Sequence, residues 1–267
     1  KEGIKIDFVA GTSMGAIVGG LYCAGLAIDK IEELICNKKL MHSYLTVPIP
    51  VRIAAVPVFF LPHMLGYHPY DGLYKGRKFA NFMTKAVSED CRQIENMKIP
   101  FCAVAANLLD GKAYGITSGD FGRAVQASSA LPFLRRPVEL GDKLLVDGGV
   151  VENLPAKRVR EMGADIVIGV DVDDDLKTLT RKDFRKIGSS ISRAINMHLS
   201  AVDRPQQNCA DLIIHPDVTG ISLLSLDTKD VDRAIKSGEA TTVLALPKLK
   251  SIIKEKSIAS KSKPDAS

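Results

Sequence analysis

Aromatic residues make up only 6% of the 267-residue chain, and tryptophan is absent. No stretch interleaves aromatics with basic side chains, and the 36 Lys and Arg residues are scattered rather than striped. Both features argue against nucleic acid as a partner. The net charge of +5 supports a mild attraction to anionic surfaces and nothing stronger. The cysteines (Cys23, Cys36, Cys91, Cys102, Cys209) are odd in number and form no CxxC pair. They read as reduced, partly buried thiols in a cytosolic setting. His42, His63, His68, His198 and His215 show no metal-ligand spacing, so no metal or other cofactor is expected. The opening residues carry no signal-peptide pattern, and a cytoplasmic chain with peripheral membrane contact is the expectation.

Charge is also missing from Phe8 to Ile28, a run long enough for a membrane span. Gly11, Gly15 and Gly19 even repeat at the small-xxx-small spacing of packed membrane helices. Against that reading, "IKIDFV" (4–9) has the β-branched and aromatic content of a buried strand. Gly11 then punctuates the run before a helical pattern begins. The favoured expectation is therefore a strand, a turn and a helix.

What is present is an alternation of strand and helix patterns. Strand candidates are 4–9, 99–106, 143–146, 165–172 and 211–216. Helical patterns fall at about 14–25, 28–38, 74–88, 119–129, 155–162, 184–201, 228–239 and 240–256. Near-continuous apolar strands alternating with helices predict an α/β fold with a mostly parallel sheet covered on both faces. In such sheets chemistry collects beyond the carboxyl ends of the strands. The polar stretch 257–267 reads as a disordered tail, leaving 1–256 as one domain.

Residues 47–66, "VPIPVRIAAVPVFFLPHMLG", interrupt the alternation with four prolines and a single charge. They cannot form a regular helix or a central strand. A proline-rich loop packed on the core and an apolar lid near an active site fit equally well.

"GTSMG" (11–15) is a G-x-S-x-G pentapeptide placed between a strand and a helix. A nucleophilic Ser13 on a sharp strand-to-helix turn brings neighbouring backbone too close for side chains at Gly11 and Gly15. The helix that follows offers the Met14 N–H and its positive end to a developing oxyanion. The plain alternative is a glycine-rich turn in which Ser13 only caps the helix. A serine also needs a base. In "KLLVDGGVVENLP", Asp147 follows a short apolar strand and should emerge at the carboxyl edge of the sheet, on a strand adjacent to that of Ser13. Gly148 and Gly149 leave room around it. By itself this motif reads first as an ordinary Asp-Gly turn after a strand.

Together, "IDFVAGTSMGAIVGGLYCAG" and "LLVDGGVVENLPAKRVREMGADIVIGVDV" resemble the patatin-like phospholipase family in its bacterial branch. "GLYKGRKF" (72–79), "VQASSALPF" (125–133) and "ADLIIHPDVTGIS" (210–222) extend the likeness along nearly the whole chain. The resemblance implies a three-layer α/β/α sandwich and a Ser-Asp dyad without histidine, carried by Ser13 and Asp147. It further implies hydrolysis of acyl esters of lipids through an acyl-enzyme, with no metal in the chemistry.

Three departures accompany it. Asn107 stands where the family often has an acidic residue, and Arg135 and Arg136 stand where hydrophobic residues are usual. The family's glycine-rich oxyanion loop lies upstream of the elbow, and only twelve residues precede Ser13. A fragment or truncated relative is the expectation. Two other readings stay open. One is a lipid-binding or regulatory relative with impaired turnover. The other is a Ser13–Asp147 triad completed by His198 or His215, as in α/β-hydrolases. Asp171, Asp173, Asp174 and Asp175 lack EF-hand spacing and are expected to form a solvated acidic loop. Ser128 and Ser129 are expected to end a helix near the pocket without a direct catalytic role.

Overall fold

The computed structural model describes residues 2–45, 70, 72–173, 176, 178–185, 189–221 and 227–261, and side chains within these except Lys38 and 259–261. The segment 47–66 and its proposed lid role, His63 and His68, and Asp174 and Asp175 lie outside the described residues. The chain divides into two compact units, residues 1–153 and 154–267.

In the first unit, β1 (Val9–Thr12) leads through Ser13 into α1 (Met14–Cys23). Helices α2 (Ile28–Cys36), α3 (Lys38–Tyr44) and α4 (Arg77–Ala86) follow. Then come β2 (Phe101–Asn107), β3 (Lys112–Ile116), α5 (Phe121–Ser128), β4 (Val138–Leu140) and β5 (Lys143–Asp147). All seven residues of β2 are buried, as expected of a strand covered on both faces. The Phe101 ring of β2 meets Phe121 of α5 edge-on at 6.3 Å. A Cβ on Gly20 would lie 2.3 Å from the Phe121 ring, so the bare backbone of α1 approaches that pair directly. A Cβ on Gly19 would likewise lie 2.9 Å from Val9. Gly19 and Gly20 of the charge-free run thus let a helix pack onto a sheet. Among the described residues no helix is long and apolar enough to cross a membrane.

The sheet order is β1-β2-β5-β4, with β3 also paired to β2. The expected parallel direction holds for β1 and β2, where Thr12 stands opposite Val104. β3, β5 and β4 pair antiparallel, with Asp147 opposite Ala105. Short connections explain two of these three antiparallel pairings: only 108–111 join β2 to β3, and 141–142 join β4 to β5, too few residues for a parallel crossover. β1 begins later than the predicted strand at 4–9, because Val9 is the first residue to pair with β2. Strands β3 and β4 were not anticipated. β3 carries Lys112 and Gly115, and β4 has three residues, so neither shows a strand's apolar pattern.

In the second unit, α6 (Ala156–Glu161) is followed by β6 (Ile168–Val170), α7 (Ser189–Gln207), β7 (Leu212–Ile214) and α8 (Thr228–Lys261). β6 and β7 pair parallel, with Ile168 opposite Leu212. Leu154, Ala156 and Val167 form the core, joined by Val159 and Ile213. Asp211 ties this unit together, accepting from Arg160 at 2.6 Å and pairing with Lys256 at 3.2 Å. Where two helices and a tail from residue 257 were expected, α8 runs unbroken through Gly238 and Pro247 to Lys261. A single glycine costs a helix about 1 kcal/mol, which the helix-favouring residues around it offset.

Candidate active site

Ser13 sits where the hydrophobic strand must turn into the helix. Its φ of 51° and ψ of −116° lie outside the regions L-residues prefer. Gly11 makes this turn possible, since a Cβ there would lie 2.4 Å from the carbonyl of Gly15. Gly15 has a different role: a Cβ on it would meet nothing within 4 Å, so this glycine leaves open space beside the serine. The Ser13 side chain makes no capping hydrogen bond to α1, which removes the capping alternative. Its carbonyl accepts from Ala16 and Ile17, while its N–H donates to Ser128 Oγ at 3.0 Å. Ser128 Oγ in turn donates to the Val104 carbonyl at 2.6 Å. The N–H of Met14 makes no hydrogen bond among the described residues, and Met14 is exposed.

Asp147 ends β5 and is 4% exposed. Its N–H donates to the Ala130 carbonyl at 2.9 Å, and its Oδ1 accepts from the Gly149 N–H at 2.9 Å. Oδ2 is buried without a hydrogen-bond partner. Burial pushes the carboxyl up from 3.8 to about 6, against the Gly149 N–H and the Ser13 side chain, both of which favour the charged form. A nearby hydroxyl that still leaves Oδ2 unpartnered fits a contact that tightens only when substrate arrives.

Ser13 and Asp147 do not lie on adjacent strands, as the sequence suggested; β2 runs between β1 and β5. Ser13 follows Thr12, which faces Val104, and Asp147 faces Ala105, the next residue of β2. The two therefore flank one alanine at nearly the same level of the sheet. β5 reaches this level from the opposite direction because it runs antiparallel and ends there. Gly148 carries the chain across: a Cβ on it would lie 2.4 Å from the Val104 carbonyl oxygen and 2.9 Å from Thr12 Cγ2. Thr12 Oγ1 donates to the Glu152 carbonyl at 2.8 Å, closing the same junction.

Among the described residues, burial, the Gly149 N–H and the Ser13 side chain act on Asp147, and no histidine is among them. In the second unit, His215 Nδ1 stands 3.8 Å from Asp171 Oδ2. The acidic loop differs from its solvated expectation, since Asp171 is buried and accepts from the Asp173 N–H and Gln207 Nε2. Asp171, Asp173 and Asp203 bring carboxylate oxygens within 4.8 Å of one another. The described cysteines are free, and burial pushes the Cys23 thiol up to about 12, far from a reactive thiolate. Asn107 binds backbone: its Oδ1 accepts from Leu144 N at 3.2 Å and Leu109 N at 3.4 Å. Arg135 fills an apolar slot by stacking its guanidinium over Tyr44 at 4.3 Å and Phe79 at 5.1 Å. Sequence reasoning missed the part Ser128 plays in fixing Ser13; its place at the end of a predicted helix was the available signal.

The Patatin family profile, described as patatin-like phospholipase, matches residues 1–160. An uncharacterized NTE family protein of Mycobacterium tuberculosis is 30% identical over 173 residues, covering 65% of this chain and 42% of that protein. A protein of Pyricularia oryzae named Lysophospholipase NTE1 is 32% identical over 179 residues, 66% of this chain and 11% of the relative. Patatin-like phospholipase domain-containing protein 7 of Rattus norvegicus is 27% identical over 64% of this chain and 12% of its own length. The chain thus spans less than half the length of these curated relatives. With the family profile covering more than half of it, this chain belongs to the patatin-like phospholipase family.

Proposed function

We propose that this chain is a serine acyl hydrolase acting on acyl esters of lipids, of phospholipase or lysophospholipase type, through a Ser13–Asp147 dyad. The reading is carried by one observation: a strained serine after Gly11 faces a buried carboxylate whose pKa has been raised to about 6. A buried carboxyl with a pKa near working pH is suited to general-base chemistry.

In this mechanism Ser13 Oγ attacks the ester carbonyl carbon while Asp147 Oδ2 takes the hydroxyl proton. The tetrahedral oxyanion is received by the Met14 N–H at the positive end of α1. Collapse expels the alcohol, which takes the proton from Asp147, and leaves an acyl-serine. Asp147 then deprotonates a water that attacks the acyl carbon; the acyl–Oγ bond breaks, the fatty acid leaves, and Ser13 Oγ takes the proton back from Asp147. Gly149 holds the unreactive oxygen of Asp147, and Ser128 occupies the Ser13 N–H, leaving Met14 as the amide aimed outward. The names of the relatives support a lipid ester as substrate, and peripheral membrane contact follows from where such esters reside.

A fluorophosphonate probe tests the assignment. Wild type and Asp147→Glu are expected to label at Ser13, the latter slowly, whereas Ser13→Ala and Asp147→Asn leave the protein unlabelled. Folded wild-type protein that neither labels nor hydrolyses a lipid ester would instead favour the lipid-binding reading.

A further inference from the structure

Among the described residues, two that are not glycine have a positive φ: Ser13 and Phe133. The first is the proposed nucleophile. The second is at φ 66° and leaves its side chain 86% exposed. Left-handed backbone is disfavoured for a bulky residue, and an exposed phenyl ring gains nothing from the hydrophobic effect. Neither local propensity nor core packing accounts for a phenylalanine here.

The loop that carries it is tightly held. Leu73 N–H donates to the Phe133 carbonyl at 3.3 Å, and Tyr74 N–H to the Leu134 carbonyl at 3.1 Å. Arg135 N–H donates to the Leu131 carbonyl at 2.8 Å, and Arg136 N–H to the Tyr74 carbonyl at 2.9 Å. These bonds fix the backbone on both sides, so Phe133 cannot relax by turning inward. The same loop begins at Ser128 and Ala130, which hold the amides of Ser13 and Asp147. An outward phenyl is thus built onto the rigid segment that positions the dyad.

Charge adds a second, independent observation. The strand-like segment bonded to Phe133 continues into Lys75, Arg77 and Lys78, all exposed. A protruding aromatic beside a cationic fringe matches an anionic phospholipid surface: the ring enters the acyl boundary while the cations meet headgroup phosphates.

We propose that Phe133 is the aromatic anchor of a docking surface that seats this chain on anionic phospholipid, with Lys75, Arg77 and Lys78 as its electrostatic fringe. The proposal rests on the lipid-hydrolase reading for its biological sense, and its test is separated from catalysis by using Ser13→Ala protein.

Sedimentation with vesicles of phosphatidylcholine alone, and of phosphatidylcholine and phosphatidylglycerol in equal parts, reads binding. The parent is expected to prefer the anionic vesicles. Phe133→Gly and Phe133→Asn, both compatible with a left-handed backbone, should bind about tenfold or more weakly to them. Each of Lys75→Gln, Arg77→Gln and Lys78→Gln should cost about fivefold, a loss that vanishes on neutral vesicles. Leu244→Ser, at an exposed apolar position in the second unit, should change nothing. With Ser13 intact, Phe133→Gly should keep its rate on a soluble short-chain ester. The proposal is overturned if the parent does not bind vesicles, if Leu244→Ser weakens binding as much as Phe133→Gly, or if Phe133→Gly loses soluble-ester turnover equally. Intact binding without any hydrolysis would sink the enzyme reading and leave this surface standing.

Discussion

The Ser13 N–H donates to the hydroxyl oxygen of Ser128 at 3.0 Å, and that hydroxyl donates onward to Val104 at 2.6 Å. One fully buried side chain therefore joins the strained elbow to the central strand. Ser128→Ala would strand a partly buried amide and a buried carbonyl together, at a cost of about 2 kcal/mol. It should also loosen the elbow, so kcat for ester hydrolysis falls while KM changes little. Ser128→Thr, which restores the hydroxyl, should recover part of the rate. An alanine variant with normal kcat would show that the elbow holds its geometry without this bond.

The motif glycines should separate experimentally. Gly11→Ala and Gly148→Ala each place a Cβ 2.4 Å from backbone atoms, of Gly15 and Val104 respectively. Backbone cannot withdraw as a flexible side chain can, so both variants should lose several kcal/mol or fail to fold. Gly15→Ala meets open space and sits in a helix, where alanine is favoured by about 1 kcal/mol. Its melting temperature should hold or rise, while hydrolysis of bulky lipid esters drops because the new methyl occupies space beside Ser13. Equal losses of stability in all three variants would contradict this division of roles.

The elbow was legible because its requirements are local: Gly11, Ser13 and the following helix are consecutive, and strain at a strand-to-helix turn leaves a mark in five residues. The α/β alternation was legible for the same reason. Strand direction was not, because pairing depends on which edges meet. "KLLVD" reads alike whichever neighbour it pairs with and in whichever direction, so Asp147 was expected on a strand adjacent to that of Ser13. It reaches the level of Ser13 from across β2, opposite Ala105. Ser128 and Phe133 stayed hidden because their significance lies in tertiary contact: a partner 115 residues away for one, a backbone pinned by Leu73 and Tyr74 for the other.

Arg135 is 1% exposed and has no carboxylate partner among the described residues. Nη1 donates to the Tyr44 carbonyl at 2.8 Å, at the end of α3, while Nη2 is buried without a partner. Burial holds the guanidinium pKa below its usual value. Its contribution therefore comes largely from filling space between Tyr44 and Phe79, with an unsatisfied charge working against it. Arg135→Ala should cost about 3 kcal/mol by opening a cavity there. Arg135→Met, which keeps the volume and discards the charge, should cost no more than about 1 kcal/mol. Chemical denaturation of the two variants checks the order, and a methionine variant as unstable as the alanine one would show the charge itself to be stabilising.

Asp147 links activity and stability to the same titration. Its folded pKa of about 6 lies above the ordinary 3.8, so the fold prefers the protonated carboxyl. Its contribution to stability is present below pH about 4 and is lost as pH rises through about 6. The carboxylate is the form that accepts the Ser13 proton, so kcat/KM should climb with pH over that window and level off above it. Asp147→Asn imitates the neutral acid. It should match wild type in stability at low pH and exceed it by on the order of 3 kcal/mol at neutral pH, with activity abolished throughout. Ser13→Ala removes one of the two groups that favour the charged form, so in a Ser13→Ala background the gap between the stability curves should widen and level off at a higher pH. Melting temperatures of the single and double variants across this range decide the matter. A stability gap between wild type and Asp147→Asn that does not change with pH would show that Asp147 is not the group titrating near 6.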